Sequence, residues 1–187
     1  RWEVEHFREW ALEARGITLG AEDSGVFAEA ASTLAERIAS WPRGFVHRDY
    51  QSRNLMVQEH ADADPSLVWI DFQDALLGPR VYDLVALLND SYQSFDRSFV
   101  EARLDEYSEH HGLDAVGREA VGREFDTVTV QRKLKDAGRF VFIDRVRGNP
   151  AFLGFVEPTI EKVFGALERL DGDPTLDRLH ALLRRLL

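Results

Sequence analysis

The sequence predicts a mainly helical α+β domain in which helices flank a small β element. Three strand-length apolar runs lie close together between positions 44 and 70. The segments before and after them repeat apolar residues with the period of amphipathic helices. No internal repeat, low-complexity tract or linker divides the 187 residues. We therefore expect a single domain over residues 1–187.

Two predicted helices precede the β element. The first spans 4–15 and ends at Gly16, a residue type that commonly terminates helices. The second spans about Asp23 to Ile38, and the turn sequence Trp41-Pro-Arg-Gly ends its pattern. In each helix the apolar residues share one face: Val4, Phe7, Trp10 and Ala11 in the first, and Phe27, Ala30, Ala31, Leu34 and Ile38 in the second.

The β element is predicted to contain three short strands joined by turns. The runs Gly44 to His47, Leu55 to Gln58 and Leu67 to Ile70 have strand length and are bounded by polar or turn residues. The polar segment Glu59 to Ser66 suits a hairpin loop, and Gly78-Pro79 indicates a further turn.

Every segment after Pro79 is predicted to be helical. Val81 to Asn89 is so apolar that we expect this helix to be buried. The other predicted helices span Ser98 to His110, Arg118 to Val141, about Pro158 to Leu170, and Pro174 to Leu186.

The composition narrows the classes of function. The formal charge of −10, from 33 acidic and 23 basic side chains, would repel a phosphate backbone, so nucleic-acid binding is disfavoured. No apolar run approaches the roughly 18 residues of a membrane span. There is no Cys, which excludes disulfides and thiolate chemistry. The first residues lack an apolar signal-peptide core, so we expect a cytoplasmic protein.

The β element carries a motif suited to phosphoryl transfer. In HRDYQSRN, Asp49 is followed five positions later by Asn54, the spacing of a kinase catalytic loop. In VWIDF, Asp71 ends an apolar strand. One carboxylate must orient the acceptor hydroxyl and take its proton, which suits Asp49. A second carboxylate and an amide oxygen must hold Mg²⁺, which suits Asp71 and Asn54.

Each residue of this motif also has an ordinary structural interpretation. Asp49 and Asn54 are common turn residues, and Asp71 could simply end a strand. The combination of His47, the spaced Asp and Asn, and a strand ending in Asp-Phe favours the functional interpretation.

Three segments resemble the aminoglycoside-phosphotransferase superfamily: HRDYQSRNLMV, WIDFQDALLGPRVYDLVALLNDSY and QRKLKDAGRF. Within it they are most similar to the bacterial N-acetylmuramate/N-acetylglucosamine 1-kinases of cell-wall sugar recycling. The likeness runs from about Phe7 to the turn after Arg147. It implies the C-terminal lobe of a protein-kinase-like fold, with the catalytic loop on a small β patch.

The resemblance implies ATP as co-substrate and Mg²⁺ as cofactor. Asp49 would be the catalytic Asp, and Asn54 and Asp71 the magnesium ligands. His47 and Arg48 would position the loop.

By the same resemblance, Asp83 would be a buried carboxylate that braces the catalytic loop from the following helix. The alternative is a surface charge. The apolar neighbours of Asp83 favour bracing, because a buried carboxylate needs hydrogen-bond partners.

Two departures from the sugar-kinase pattern concern the acceptor. Gln51 stands where those enzymes usually carry His, and Gln cannot shuttle a proton. The segment 144–150 resembles their Gly-Lys-Pro turn but lacks the Lys. The acceptor preferred by this protein can therefore differ from that of the sugar 1-kinases.

Candidate acceptor contacts are Gln51, Arg53, Asp90 and Arg132. The pattern equally fits two structural alternatives: a solvated helix face for the basic stretch 131–135, and an ordinary helix end for Asp90 with Tyr92.

A complete kinase also needs a glycine-rich loop and a phosphate-binding Lys with its Glu partner. The chain has three Lys, none at a suitable position. We therefore expect the N-terminal nucleotide-binding lobe to be absent from this sequence. We also expect that absent lobe to be the partner of the lobe that residues 1–187 form. Alone, this lobe should turn over ATP negligibly.

Two functions remain open at this point. The first is a kinase that phosphorylates a hydroxyl of a small molecule, preferably the anomeric hydroxyl of N-acetylmuramate or N-acetylglucosamine, with an aminoglycoside, choline or homoserine as the rival acceptor. The second is a non-catalytic binding module on a kinase-like lobe.

Overall fold

A computed structural model describes residues 2–61 and 63–187. The fold is mainly helical with small antiparallel sheets, as the sequence predicts. Asp62, in the predicted hairpin loop, lies outside the described residues. In the described part of the chain no helix is long and apolar enough to cross a membrane.

Seven α-helices are found in the described residues. α1 continues into a π-helical segment, Arg8–Leu12, and a 3₁₀ turn, Glu13–Arg15, which ends at Gly16 as predicted. The helices are α1 (Trp2–Phe7), α2 (Ala21–Ser40), α3 (Tyr82–Leu88), α4 (Arg97–His110), α5 (Ala115–Arg147), α6 (Val156–Arg169) and α7 (Pro174–Leu186).

Four strands form two separate antiparallel pairs. β1 (Arg43–Val46) pairs with β4 (Leu76–Pro79), and β2 (Leu55–Gln58) pairs with β3 (Ser66–Trp69). The three predicted strands therefore exist to within a residue at each end, and a fourth strand completes two separate pairs.

The fourth strand was predicted as a turn because it contains Gly78-Pro79. Gly78 lies opposite Gly44 in the ladder and is buried. A Cβ atom on Gly78 would lie 2.7 Å from Cγ2 of Val46. Close packing across the two strands therefore favours glycine at position 78. From the sequence alone, a glycine followed by a proline is typical of a turn.

The 33-residue helix α5 crosses both hydrophobic clusters of the molecule. Its first half packs Val121, Phe125 and Val128 against β1, α3 and α4. Its second half packs against α1, α2, α6 and α7. The predicted helix 118–141 is correct but short by several residues at each end, since α5 begins after the N-cap Asp114 and ends at Gly148.

α1 and α5 approach each other closely at Gly138. A Cβ atom there would lie 2.6 Å from the carbonyl oxygen of His6 and 2.9 Å from Cα of Phe7. Backbone cannot move aside as a flexible side chain can, so this contact depends on glycine.

We predict that Gly138→Ala lowers the free energy of unfolding by about 1 to 3 kcal/mol, because the added methyl group must push α1 away from α5. Urea denaturation measures this change. Gly122→Ala is the matched control on α5: no atom lies within 4 Å of its Cβ position, so the gain in helix propensity should stabilise the chain by up to about 1 kcal/mol. Equal effects of the two substitutions would contradict the steric argument.

Candidate active site

The predicted catalytic loop connects β1 to β2, and the hairpin brings Asp71 beside it. The amide of Ile70 donates to the carbonyl of Asn54 at 3.1 Å, which extends the β2–β3 pairing by one residue. Nδ2 of Asn54 donates to the carbonyl of Asp49 at 2.8 Å. The β2–β3 hairpin therefore places Asn54 and Asp71 at the same end, with Asp49 held by the Asn54 amide.

Two residues of the site have left-handed backbone conformations. Arg48 has φ 73° and Asp71 has φ 65°, and all other described residues with positive φ are glycines. Such conformations cost about 1 to 3 kcal/mol each and persist only where the surrounding contacts enforce them. The strain lies next to Asp49 and at Asp71 itself, the two carboxylates of the predicted chemistry.

The carboxylate of Asp83, in the first turn of α3, supports the strained loop. Oδ2 accepts the amide of His47 at 2.7 Å, and Oδ1 accepts the amide of Arg48 at 3.0 Å. The Asp83 side chain is half-buried rather than fully buried. The alternative of a plain surface charge is therefore wrong, because both oxygens bind the loop backbone.

The imidazole of His47 is buried beside this brace. It packs edge-on against Tyr50, with ring centroids 5.9 Å apart. Neither ring nitrogen has a hydrogen-bond partner among the described residues. His47 thus acts on the loop through its backbone amide and through packing.

Arg132, on α5, holds the other side of the same loop. Its side chain is only 2% exposed, and Nη1 donates to the carbonyl of Arg48 at 2.8 Å. Nη2 lies 3.7 Å from Oδ1 of Asp49, and the guanidinium stacks 4.8 Å above the ring of Tyr82. Burial opposes the charged form, but the nearby acidic groups, Asp136 first among them, outweigh it and raise the pKa of Arg132. The sequence alone does not reveal this contact of Arg132 with the loop.

The donor set at Asn54 and Asp71 fits Mg²⁺. Because Nδ2 of Asn54 is bound to the loop carbonyl, its Oδ1 remains for a cation. Asp71 is exposed, and its Oδ1 accepts Nε2 of Gln73 at 2.9 Å. One amide oxygen and one carboxylate are hard ligands, and phosphate oxygens and water would complete the coordination. Within residues 2–61 and 63–187, no group of three or more His, Asp or Glu forms a metal cluster.

A cavity of about 460 Å³ opens beside Asp49. The catalytic loop, the start of α1, the end of α3 and one face of α5 form its walls. Three of the four predicted acceptor contacts, Gln51, Asp90 and Arg132, line it. Arg53 does not line it, and the Arg53 guanidinium lies 3.7 Å above the ring of Tyr92.

Asp90 lines this cavity and lies two residues after the end of α3. Its side chain is buried, Oδ2 accepts the hydroxyl of Ser52 at 3.2 Å, and Oδ1 accepts the amide of Tyr92 at 3.1 Å. Asp90 therefore ties the catalytic loop to the segment that follows α3.

The basic stretch of α5 is not a solvated face. Gln131, Arg132 and Lys133 are all buried, so that alternative is wrong. Nζ of Lys133 donates to Oδ2 of Asp136 at 2.8 Å and to the hydroxyl of Ser91 at 3.2 Å. Burial lowers the pKa of Lys133. The pKa of Asp136 would be raised by burial, but its cationic neighbours, led by Lys133, lower it far below the ordinary value.

A comparison with known protein families shows which family this chain belongs to. The model of the phosphotransferase enzyme family matches residues 1–120, well over half of the chain. The chain belongs to this phosphotransferase family. The matched segment contains Asp49, Asn54, Asp71 and Asp83, but ends before the basic stretch of α5.

Relatives of this chain include proteins named as N-acetylmuramate/N-acetylglucosamine kinases, which confirms the family resemblance. The N-acetylmuramate/N-acetylglucosamine kinase of Pseudomonas putida is 34% identical over 161 residues, covering 83% of this chain and 46% of the relative. The kinase of the same name from Neisseria meningitidis is 31% identical over 193 residues, covering 94% and 56%. The phosphotransferase chain thus spans about half the length of these relatives.

We predict that Asp83→Asn loosens the catalytic loop of the phosphotransferase. An amide has one acceptor oxygen where the carboxylate has two, so one loop amide loses its partner at a cost of about 1 to 3 kcal/mol. Hydrogen exchange of the His47 and Arg48 amides, followed by NMR, should accelerate. Asp74→Asn, at an exposed position on the neighbouring turn, should leave both amides unchanged. Unchanged exchange in Asp83→Asn would contradict the bracing role.

Proposed function

We propose that this chain is the catalytic lobe of a kinase that transfers the γ-phosphoryl group of ATP to a hydroxyl of a small molecule. The supporting observation is that Asp49 lies in the cavity wall while three separate groups hold its loop. Asp83 binds the loop amides, Arg132 binds the carbonyl of Arg48, and Asn54 binds the carbonyl of Asp49. Such a fixed carboxylate suits catalysis by positioning.

In the proposed reaction, Asp49 accepts a hydrogen bond from the acceptor hydroxyl and takes its proton as the oxygen attacks phosphorus. The new O–P bond forms while the bond to the ADP oxygen breaks. When bound, Mg²⁺ supplies charge neutralisation at the nucleotide phosphates. Asn54 and Asp71 are the residues placed to hold it. A non-catalytic module would have no need for strained backbone at Asp71.

The charge of the cavity supports a neutral or acidic acceptor. Five basic and four acidic side chains line it, a formal difference of 5 − 4 = +1, although the whole chain carries −10. His6 adds no charge near neutral pH, because burial lowers its pKa. Such a lining offers no net negative charge to attract a polycationic aminoglycoside or a quaternary amine. The charged lining residues are Arg48, Arg132, Lys133, Lys135 and Arg139, with Glu3, Asp49, Asp90 and Asp136.

We therefore propose an amino sugar as acceptor, phosphorylated at its anomeric hydroxyl. The names of the relatives, N-acetylmuramate/N-acetylglucosamine kinase, support this choice. Because such sugars are released from peptidoglycan and ATP is available in the cytoplasm, we place the reaction there, in the recycling of cell-wall sugars.

We predict that Asp49→Asn lowers kcat of the full-length gene product at least about 100-fold, because the amide cannot take the proton. A coupled ADP-release assay with Mg²⁺ measures this. N-acetylmuramate, N-acetylglucosamine, choline, homoserine and kanamycin would be offered in turn. Asp74→Asn serves as the control for a change of one charge near the site.

Three results of this assay would change the proposal. Turnover with an amine alone would retain Asp49 and overturn the sugar assignment. Undiminished turnover in Asp49→Asn would remove Asp49 from the chemistry. No turnover by the folded full-length protein with any acceptor would favour the binding module.

We also propose that a second, nucleotide-binding lobe covers the two β pairs. Ten large apolar side chains are exposed on these strands and on the residues beside them. Single exposed apolar residues are ordinary, whereas a concentration of them is typical of an interaction surface. The relatives contain about as much chain again as this one. The exposed apolar side chains are Phe45, Met56, Val57, Leu67, Val68, Trp69, Ile70, Phe72, Leu76 and Leu77.

We predict that Met56 and Trp69 lose reactivity toward hydroxyl radicals in the full-length gene product compared with the 187-residue chain. Both are about half exposed here, and a covering lobe would exclude water from them. Phe99, which is similarly exposed on α4, is the internal control. Equal reactivity of Met56 and Trp69 in the two proteins would contradict the covering lobe.

A further inference from the structure

Two cationic side chains of the cavity lie on one face of α5, one helical turn apart. Lys135 and Arg139 both line the 460 Å³ cavity that contains Asp49. Residues four apart on a helix are neighbours on its surface. Their charges can therefore act on one ligand group inside the cavity.

The other three cations of the cavity face partners within the protein. Nη2 of Arg48 lies 4.0 Å from Oε1 of Glu3. Arg132 is buried and bound to the carbonyl of Arg48. Lys133 is buried and bound to Ser91 and Asp136. These two side chains are part of the scaffold and leave no donor exposed for an acceptor molecule.

The charge of Lys135 is only partly balanced. Its Nζ lies 3.4 Å from Oδ1 of Asp136, but this carboxylate also binds Lys133 at 2.8 Å and faces Nε of Arg132 at 3.9 Å. Three cations thus share one carboxylate. The local excess is positive, and Lys135 is the most exposed of the three cations.

Arg139 is exposed and rests on an aromatic ring. Its guanidinium lies 4.8 Å above the ring of Phe142. Among residues 2–61 and 63–187 no carboxylate lies within 4 Å of it. The stacking restrains the guanidinium while its N–H groups remain to bind a ligand.

An apolar wall lies beside this pair. Phe140 is buried and stacks on Phe152 with ring centroids 5.9 Å apart, and both line the cavity. Such a wall lowers the local dielectric, which strengthens a charge-assisted hydrogen bond formed next to it.

We propose that Lys135 and Arg139 form a carboxylate subsite that selects an acidic sugar over its neutral counterpart. This inference rests on the proposed function. The two sugars in the relatives' names share a ring, and N-acetylmuramate alone carries a lactyl ether with a carboxylate, two ring carbons from the anomeric carbon. With the anomeric hydroxyl at Asp49, the carboxylate binds at Lys135 and Arg139, on the α5 side of the same cavity. Arg132, considered above as an acceptor contact, is a positioning residue instead.

The test uses the double variant Lys135→Gln/Arg139→Gln of the full-length gene product. The measured quantity is the ratio of kcat/KM for N-acetylmuramate to kcat/KM for N-acetylglucosamine. We expect the ratio to fall about 10- to 100-fold, since two charge-assisted hydrogen bonds are lost for one sugar only. The charge-conserving variant Lys135→Arg should retain most of the ratio. Arg145→Gln, further along α5 and outside the cavity, should leave it unchanged.

Calorimetry gives a second readout that does not depend on turnover. The wild-type protein should bind N-acetylmuramate more tightly than its methyl ester, which lacks the charge, and the double variant should bind the two alike. A ratio unchanged within twofold, or equal preference of the wild type for acid and ester, would overturn the subsite. A raised KM for ATP with an unchanged sugar ratio would assign the pair to the nucleotide phosphates and also overturn it.

Failure of this inference is distinguishable from failure of the proposed function. If the wild type phosphorylates neither sugar, the amino-sugar kinase itself is wrong. If it phosphorylates both sugars and the double variant keeps the same preference, only the carboxylate subsite is wrong.

Discussion

The arrangement of the site depends on the carboxylate of Asp83. It binds two successive amides, at His47 and Arg48, and the carbonyl of Arg48 is bound from the opposite side by Arg132. The peptide groups that precede Asp49 are thus held between α3 and α5. A left-handed arginine would relax if either contact were missing, because its conformation is unfavourable by itself. The direction of the Asp49 side chain therefore depends on two helices that are distant in sequence.

The local parts of this arrangement were predictable from sequence, and the long-range parts were not. Asp49, Asn54 and Asp71 are recognisable because their spacing follows from one loop and one hairpin. The role of Asp83 could be inferred only through the family resemblance. The loop contact of Arg132 spans 84 residues, and a basic helical stretch does not reveal which of its members turns inward. β4 was missed because Gly78 serves cross-strand packing, a requirement that its own sequence neighbours do not show.

The charged groups inside α5 would be costly if they served stability alone, since buried ion pairs seldom outweigh their loss of hydration. The Lys133 ammonium donates a hydrogen bond to the carboxylate of Asp136 and another to the hydroxyl oxygen of Ser91. This cluster lines the cavity. The positive excess of the lining makes the cavity unlike the rest of an acidic protein, so an anionic group is favoured inside the cavity although the acidic surface outside repels it.

Gly138 has a consequence for the size of molecule that the cavity can admit. The residue itself touches no part of the cavity, yet its missing side chain sets how near α1 lies to α5. α1 contributes Trp2, Glu3 and His6 to one wall, and α5, which packs against α1, contributes the adjoining wall. The distance between α1 and α5 therefore affects the width of the cavity, and that distance is set at Gly138, which does not line the cavity. Related proteins could change the bulk of their acceptors by altering this helix spacing, without replacing any residue that the acceptor contacts.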